Sequence, residues 1–249
     1  MPDATPDTAP PLWHHHHLTL RAQLGALALS INLDLTSNWT VIFGPSGSGK
    51  STILRAIAGL LPSSEAILTR TNKDRIVQDL SDTPPRDRAI AYAPQQPSLF
   101  PHLTVAHNVA FAKRASRPPT PAPGTDTIDE AIRLFRLEDL LHRYPRNLSG
   151  GQQQLVNLAR AFCVPNPQLM LLDEPFAGID RPLRDAILPE LRESLRLRAI
   201  PVVSVTHDVE EAFLLNAEVF RIEAGRIRAQ GYVSKVLADE RLSILNSLR

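Results

Sequence analysis

The chain has 249 residues, 43% of them hydrophobic, enough apolar material for the core of one large domain or two intimate subdomains. Its 27 basic and 26 acidic side chains leave a formal charge of +1, so no overall basic field marks it as a nucleic-acid binder. The single cysteine, Cys163, excludes an intrachain disulfide and a Cys-rich metal site and fits a reducing compartment.

No apolar run approaches the roughly 20 residues that a membrane helix needs, and the N-terminus lacks the apolar stretch of a secretory signal. A cytoplasmic protein is expected, with membrane contact only through a partner. Residues 1–17 carry Pro2, Pro6, Pro10 and Pro11 and end in Trp13 and the run His14 to His17. They are read as a disordered tail. A run of histidines binds a transition metal or is a tag remnant. A dedicated metal site is not expected in so short a run beside apolar Leu18 and Leu20.

Leu18 to Leu24 and Ala26 to Leu35 alternate, which predicts an antiparallel pair. Val41 to Phe43 is a short apolar run and predicts a buried strand. It leads into Gly44-Pro45-Ser46-Gly47-Ser48-Gly49-Lys50-Ser51-Thr52, and Ile53 to Leu60 follows with helical spacing. Strand, glycine-rich turn and helix is the context of a phosphate-binding P-loop. Glycines let consecutive N–H groups face an anion, and the helix N-terminus adds partial positive charge. Lys50 is placed to reach the β- and γ-phosphates and the Ser51 hydroxyl to ligate Mg²⁺.

Ile67 to Val77 reads as a second hairpin and Ala89 to Tyr92 as a short strand, broken at Pro94 and Pro97. From Thr104 to about Arg160 the pattern is helical, interrupted by the Pro-rich excursion Ser116 to Gly124. Strand signals return at Leu169 to Leu172, Val202 to Val205 and Val219 to Ile222. Arg184 to Arg198 is an amphipathic helix with Leu188, Leu191 and Leu195 on one face. Apolar strands alternating with helices predict an α/β fold with a mostly parallel, doubly covered sheet.

Three further signals accompany the P-loop. Leu169 to Leu172 ends in Asp173 and Glu174. In a P-loop protein the strand-end Asp173 holds Mg²⁺ and Glu174 sits where a base can accept a proton from attacking water, help worth about 10²–10⁴ in rate. Ser149-Gly150-Gly151-Gln152, after Leu148, opens a helix and makes a second anion site. His207 and Gln95 follow two other strands, at the edge where ligands gather in open α/β sheets. An amide at Gln95 suits Mg²⁺ ligation and water positioning.

In this order the motifs resemble the ATP-binding cassette of ABC transporters. Gly44 to Thr52 is similar to that family's Walker A motif, Leu169 to Glu174 to Walker B, and Leu148 to Gln152 to its signature. Gln95 resembles the Q-loop glutamine, His207 the switch histidine and Asp180 the D-loop aspartate. The resemblance covers residues 18–231. It implies a P-loop NTPase core with an antiparallel β subdomain, an inserted α-helical subdomain at about 97–165, and a short C-terminal helix in 232–249.

The resemblance also implies ATP and Mg²⁺ as cofactors and a head-to-tail pair of copies. Each ATP would meet the P-loop of one copy and Ser149 to Gln152 of the other. Ser51, Gln95 and Asp173 would hold the metal, Glu174 would act as base, His207 would contact the γ-phosphate, and Asp180 would face the partner copy. Transmembrane permease subunits and a solute-binding protein are implied, and nucleic acid is not. The cassette would be peripheral on the inner face of the membrane, with Phe100 and Leu103 candidates to line the permease groove or to pack the core.

Three departures stand out. The family's early aromatic, which stacks on adenine, is missing from Leu20 to Leu24, and Arg21 is proposed to cover the base instead. Gln153 replaces a basic residue after the signature, and Ala177 a hydroxyl before Asp180.

Leu99 to Val105, Ile187 to Leu191, Glu223 to Arg226 and Gln230-Gly231 resemble importers of oxyanions, molybdate above all. The residues after Gly231 are too few for a regulatory domain, so anion sensing within the chain is not expected. The alternative reading is a non-transport cassette ATPase acting with nucleic acid or soluble partners.

Overall fold

The computed structural model describes residues 15–61, 66–72, 74–115 and 127–247. The Pro-rich segment up to residue 14 and the excursion Ser116 to Gly124 lie outside them. One sheet of ten strands organises the described residues. Its parallel part contains β3 (Trp39–Phe43), β6 (Ile90–Ala93), β7 (Leu169–Asp173), β8 (Val202–Thr206) and β9 (Glu218–Glu223). These lie side by side as β9-β3-β8-β7-β6, each pair parallel. β7 and β8 are buried at every position, as continuous apolar runs covered on both faces require. Trp39 adds a side-chain tie, its indole N–H donating to the Ser204 hydroxyl at 2.9 Å.

The antiparallel part is built from β1 (His15–Leu24), β2 (Leu27–Leu35), β4 (Ala66–Thr71) and β5 (Val77–Asp79). The last strand, β10 (Arg226–Tyr232), runs antiparallel to β9 and joins β2 at Ser30, so it welds the two parts into one sheet. This strand was not expected from the sequence. The tail expected over residues 1–17 also ends differently, because β1 begins at His15. Three histidines therefore belong to the sheet. His16 alternates inward with Leu18 and Leu20, and the His17 ring meets Asp34 at 2.6 Å across the strand pair.

Between β6 and β7 the chain forms α2 (Val105–Ala115), α3 (Thr127–Leu134) and α4 (Gly150–Phe162). The other helices are α1 (Lys50–Ile57), α5 (Arg181–Leu197), α6 (Val209–Leu215), α7 (Val233–Val236) and α8 (Ala238–Ser247). Two short helices thus close the described chain where one was expected. Two apolar cores result. One holds Leu18, Leu20, Ile31, Leu54 and Phe220 under the antiparallel part and α1. The other holds Val109, Phe135, Phe162, Leu188 and Leu191 between the sheet and the helices.

The C-terminus of α1 is closed by one buried side chain. Arg88 donates from Nη1 to the carbonyls of Ala56 (3.2 Å) and Ile57 (2.9 Å), from Nε to Thr83 (2.8 Å) and from Nη2 to Ser81 (2.9 Å). The last carbonyls of a helix need such partners, and a cation suits the negative end of its dipole. Arg88→Ala should lower the unfolding free energy by about 2–4 kcal/mol in urea denaturation. Arg88→Lys should recover only part of the loss, because an ammonium cannot reproduce the fork. An unchanged midpoint in Arg88→Ala would show that the loops around α1 satisfy their own carbonyls.

Candidate functional site

Four neighbouring parallel strands, β3, β8, β7 and β6, deliver their chain exits to one edge of the sheet. The P-loop follows β3, His207 follows β8, Asp173 and Glu174 end β7, and Gln95 follows β6. The topology therefore brings these five predicted elements of the site to one edge.

The loop geometry needs its glycines. A Cβ on Gly44 would lie 2.1 Å from the Ile222 carbonyl oxygen. Gly49 has φ +96, and a Cβ there would lie 2.4 Å from the Leu29 side chain. Pro45, Ser46 and Gly47 are exposed at the turn, and Thr52 is half-buried inside α1. No side chain caps α1, and its first turn holds no acidic residue. Its free N–H groups are thus open to an anion. The Ser48 hydroxyl is buried without a hydrogen-bond partner among the described residues. Lys50 is buried and folds back, its Nζ donating at 2.8 Å to the carbonyls of Gly44 and Pro45. Burial pulls its pKa below the usual ammonium value, against the opposing charges of Glu174 and Asp173.

Ser51 donates to Asp173 Oδ1 at 3.0 Å, joining the P-loop helix to β7. Asp173 Oδ2 is 3.5 Å from the Tyr92 hydroxyl, a long hydrogen bond from β6. Burial raises the Asp173 pKa and the charge of Glu174 adds to it, while the bonds from Ser51 and Tyr92 and the charge of Lys50 lower it. Tyr92 is pushed up to about 12, first by burial and then by Asp173. A hydroxyl and a carboxylate held together, with an amide nearby, form the hard oxygen set that Mg²⁺ prefers. With the open N–H groups, the orphaned Ser48 hydroxyl and Lys50, these residues fit a phosphate chain and its metal ion.

Glu174 is the meeting point of three strand ends. Its Oε2 accepts from Gln95 Nε2 at 3.1 Å, and its Oε1 lies 3.4 Å from His207 Nδ1. Glu174 is partly shielded, whereas His207 is largely exposed. The arrangement presents one carboxylate between an amide and an imidazole beside the Lys50 loop. That is a suitable placement for taking a proton from water.

The segment after β8 is braced by a polar network that the sequence did not reveal. Asp208 caps α6 by accepting from Glu210 N–H (2.8 Å) and Glu211 N–H (3.2 Å), and it pairs with buried Arg184 of α5. The Thr206 hydroxyl accepts from Asp208 N–H at 3.0 Å and donates to Glu211 Oε2 at 3.2 Å. Glu211 is buried, and burial raises its pKa to about 8, with Asp208 and Glu174 adding to the rise and Thr206 and Arg184 opposing it.

Ser149 to Gln152 form a capping box. Gln152 N–H donates to Ser149 Oγ at 3.2 Å, and Ser149 N–H donates to Gln152 Oε1 at 3.0 Å. Ser149 and Gly150 are exposed, and a Cβ on Gly151 would lie 2.6 Å from the Gly178 carbonyl oxygen. Among the described residues no hydrogen bond is recorded between this segment and Gly44 to Thr52. Asp180 is exposed and caps α5 by accepting from Leu183 N–H at 3.2 Å.

Arg21 is a correction. Along β1 the buried residues are Leu18 and Leu20, and along β2 they are Leu29 and Ile31, the face that touches Gly49. Arg21 pairs with Ser30 on the opposite, exposed face and points away from the P-loop. The strand's two-residue period decides this. The surface turned to the loop is aliphatic, with Ala22 and Leu27 on it. Phe100 is half-buried against Phe111, ring centres 4.2 Å apart, with Arg160 over its face. Leu103 is half-buried beside it in sequence, in the turn whose carbonyls Asn108 gathers.

The family described as ABC transporter matches residues 29–177. The molybdenum import ATP-binding protein of Rhodobacter capsulatus is 37% identical over 209 residues, 83% of this chain and 55% of that protein. The spermidine/putrescine import ATP-binding protein of Shigella flexneri is 40% identical over 202 residues, 80% and 52% of the two chains. The sulfate/thiosulfate import ATP-binding protein of Synechocystis is 39% identical over 207 residues, 83% and 56% of the two. The chain spans a little over half the length of these relatives. A solved dimeric ATP-binding cassette in a post-hydrolysis state, bound to ADP and Pi, superposes with a TM-score of 0.73 at 26% identity, covering 88% of this chain and 98% of its own.

Glu211 supplies a test of the network behind the site. Its folded pKa of about 8 lies above the ordinary 4.5. Between those values the folded protein keeps a proton that the unfolded chain has released. The stability drawn from the neutral carboxyl is full below about pH 4.5 and is lost as pH rises through about 8. Glu211→Gln should remove this dependence, so its Tm should fall less than the parent's between about pH 6 and about pH 8.5. Equal falls by scanning fluorimetry would place the titration elsewhere.

Proposed function

The chain belongs to the ABC transporter family, and on that premise we propose that it is the ATP-binding and ATP-hydrolysing subunit of an importer. The reading includes a head-to-tail pair of copies, transmembrane permease subunits, a solute-binding protein and a place on the inner face of the membrane. No helix of the described residues is long and apolar enough to cross a membrane. The observation that carries the proposal is the convergence of Gln95 and His207 on Glu174, next to Asp173 and its bond from Ser51.

In this reading Gly44 to Thr52 cradle the phosphates of ATP. Lys50 leaves the carbonyls of Gly44 and Pro45 for the β- and γ-phosphates. Ser51, Asp173 and Gln95 would hold Mg²⁺, which would supply charge neutralisation when bound. Glu174 takes a proton from water while the water oxygen bonds to the γ-phosphorus and the bond to the ADP oxygen breaks. ADP and phosphate are the products, and His207 steadies the γ-phosphate. Ser149 to Gln152 and Asp180 serve the nucleotide held by the other copy, which accounts for a second anion site in a chain with one P-loop. The dimeric cassette of similar fold supports that pairing.

For cargo, the proposal is an oxyanion of the molybdate class. The molybdenum importers among the relatives support it, and the polyamine and sulfate importers of similar identity define the competing cargoes.

Glu174→Gln should cut phosphate release at least about 100-fold while ATP binding persists. Lys50→Ala should lose binding itself. Parental turnover in Glu174→Gln would remove that residue from its role. Glu174→Gln protein loaded with ATP and Mg²⁺ should retain a polytopic permease from native membranes. The associated solute-binding protein should then prefer molybdate over sulfate and spermidine. Recovery of soluble or nucleic-acid partners alone would end the transporter reading.

A further inference from the structure

Gln154 lies in α4, two residues beyond Gln152. Its side chain is 2% exposed. Nε2 donates to the main-chain carbonyl of Glu174 at 3.3 Å. Oε1 is buried and has no hydrogen-bond partner among the described residues. The amide has one workable orientation at this contact, because the flipped form would set oxygen against oxygen. A buried acceptor without a partner is costly, and an apolar side chain would avoid that cost. The amide is thus explained by the one bond that it makes.

That bond ends at a strained point. Glu174 has φ +46, in the left-handed region that a residue with a Cβ rarely adopts. The bend turns the chain out of β7 and aims the carboxylate at Gln95 and His207. Its N–H donates to the Val205 carbonyl at 3.0 Å, and its carbonyl accepts from the Ala177 N–H at 3.2 Å within the turn and from Gln154 of α4, the side-chain bond that ties this residue to a neighbouring element. A second contact ties α4 to this loop, where Gly151 fits against the Gly178 carbonyl with no room for a Cβ. The capping box of Ser149 and Gln152 stands at the start of the same helix.

We infer that Gln154 is a positioning residue for Glu174. Its amide fixes the left-handed bend and links the carboxylate to α4, so a ligand seated at Ser149 to Gln152 bears on the aim of Glu174. The inference rests on the reading of Glu174 as the base for ATP hydrolysis.

The test is steady-state ATP hydrolysis by the full chain with Gln154→Leu, which keeps the bulk and removes the donor. Gln154→Glu, which keeps shape and polarity without the amide donor, replaces it if the leucine form does not fold. The expected result is a kcat lower by about 10- to 100-fold, the scale of a small misplacement of a reacting group. KM should stay within about twofold, because the phosphate-binding loop is untouched. In a Glu174→Gln background the same change should leave the residual rate within about twofold, since the aim of a lost base no longer matters. A fall of equal size in both backgrounds would show a general structural role and overturn the inference. An unchanged kcat in the variant beside an active parent would overturn it as well, with the functional reading intact. A parent without turnover would end both.

Discussion

The site depends on four adjacent strands that run the same way. β3, β8 and β7 are buried at nearly every position, so their side chains form nearly unbroken apolar runs and the register is set by burial, while β6, at the end of the sheet, alternates buried with half-buried residues. The Trp39–Ser204 bond adds one polar pin to that register. Parallel neighbours send every chain exit to one edge, which is why residues as distant in sequence as Ser51 and Asp173 touch. A one-residue slip of β7 would turn Asp173 into the opposite layer and break the bond from Ser51.

Charge at this edge is arranged with a deficit of cations. Glu174 bears on Asp173, and Asp208 and Glu174 bear on Glu211, against Lys50 at Asp173 and Arg184 at Glu211. Arg184 is committed to Asp208 and Asp185, and Lys50 to two carbonyls. The surplus is relieved in two ways. Glu211 keeps its proton near neutral pH, and Asp173 leans on hydroxyls from Ser51 and Tyr92. A divalent cation would complete the balance at Asp173, and this is a physical reason for the site to bind phosphate together with metal rather than phosphate alone.

What could be read from the sequence was what is local. Gly44 to Thr52 declares itself because turn, anion site and helix are consecutive, and Leu169 to Glu174, which alone reads as a strand before an acidic helix cap, gains its meaning from that P-loop. The capping box of Ser149 and Gln152 is equally local. The rest needed the third dimension. Arg21 could be placed on a face only once the partner strand was known, and that face turned out to be the wrong one. His15 to His17 looked like tail until β2 and β4 supplied their ladder. β10 pairs through a turn at Ala224 and Gly225, where a Cβ on Gly225 would lie 2.2 Å from the Ala28 carbonyl oxygen. Tyr92, Gln154 and Arg184 carry no pattern of their own, since their partners lie about 20 to 80 residues away and contact distance leaves no periodic trace.

Glu174 is where these strands of argument meet. A left-handed backbone at a residue with a Cβ costs on the order of 1 kcal/mol and persists only where surrounding contacts over-determine it. Here its N–H is held by β8, its carbonyl by α4 and the Ala177 N–H, and its two carboxylate oxygens face Gln95 after β6 and His207 after β8. No single side-chain contact is strong: the Gln154 bond is long at 3.3 Å, and His207 stands 3.4 Å from the carboxylate. Weak contacts in several directions fix an orientation while leaving it adjustable. A carboxylate held in this way can stay aligned for one step and shift when α4, the loop after β6 or the segment after β8 moves. A base locked by one short ion pair could not do so.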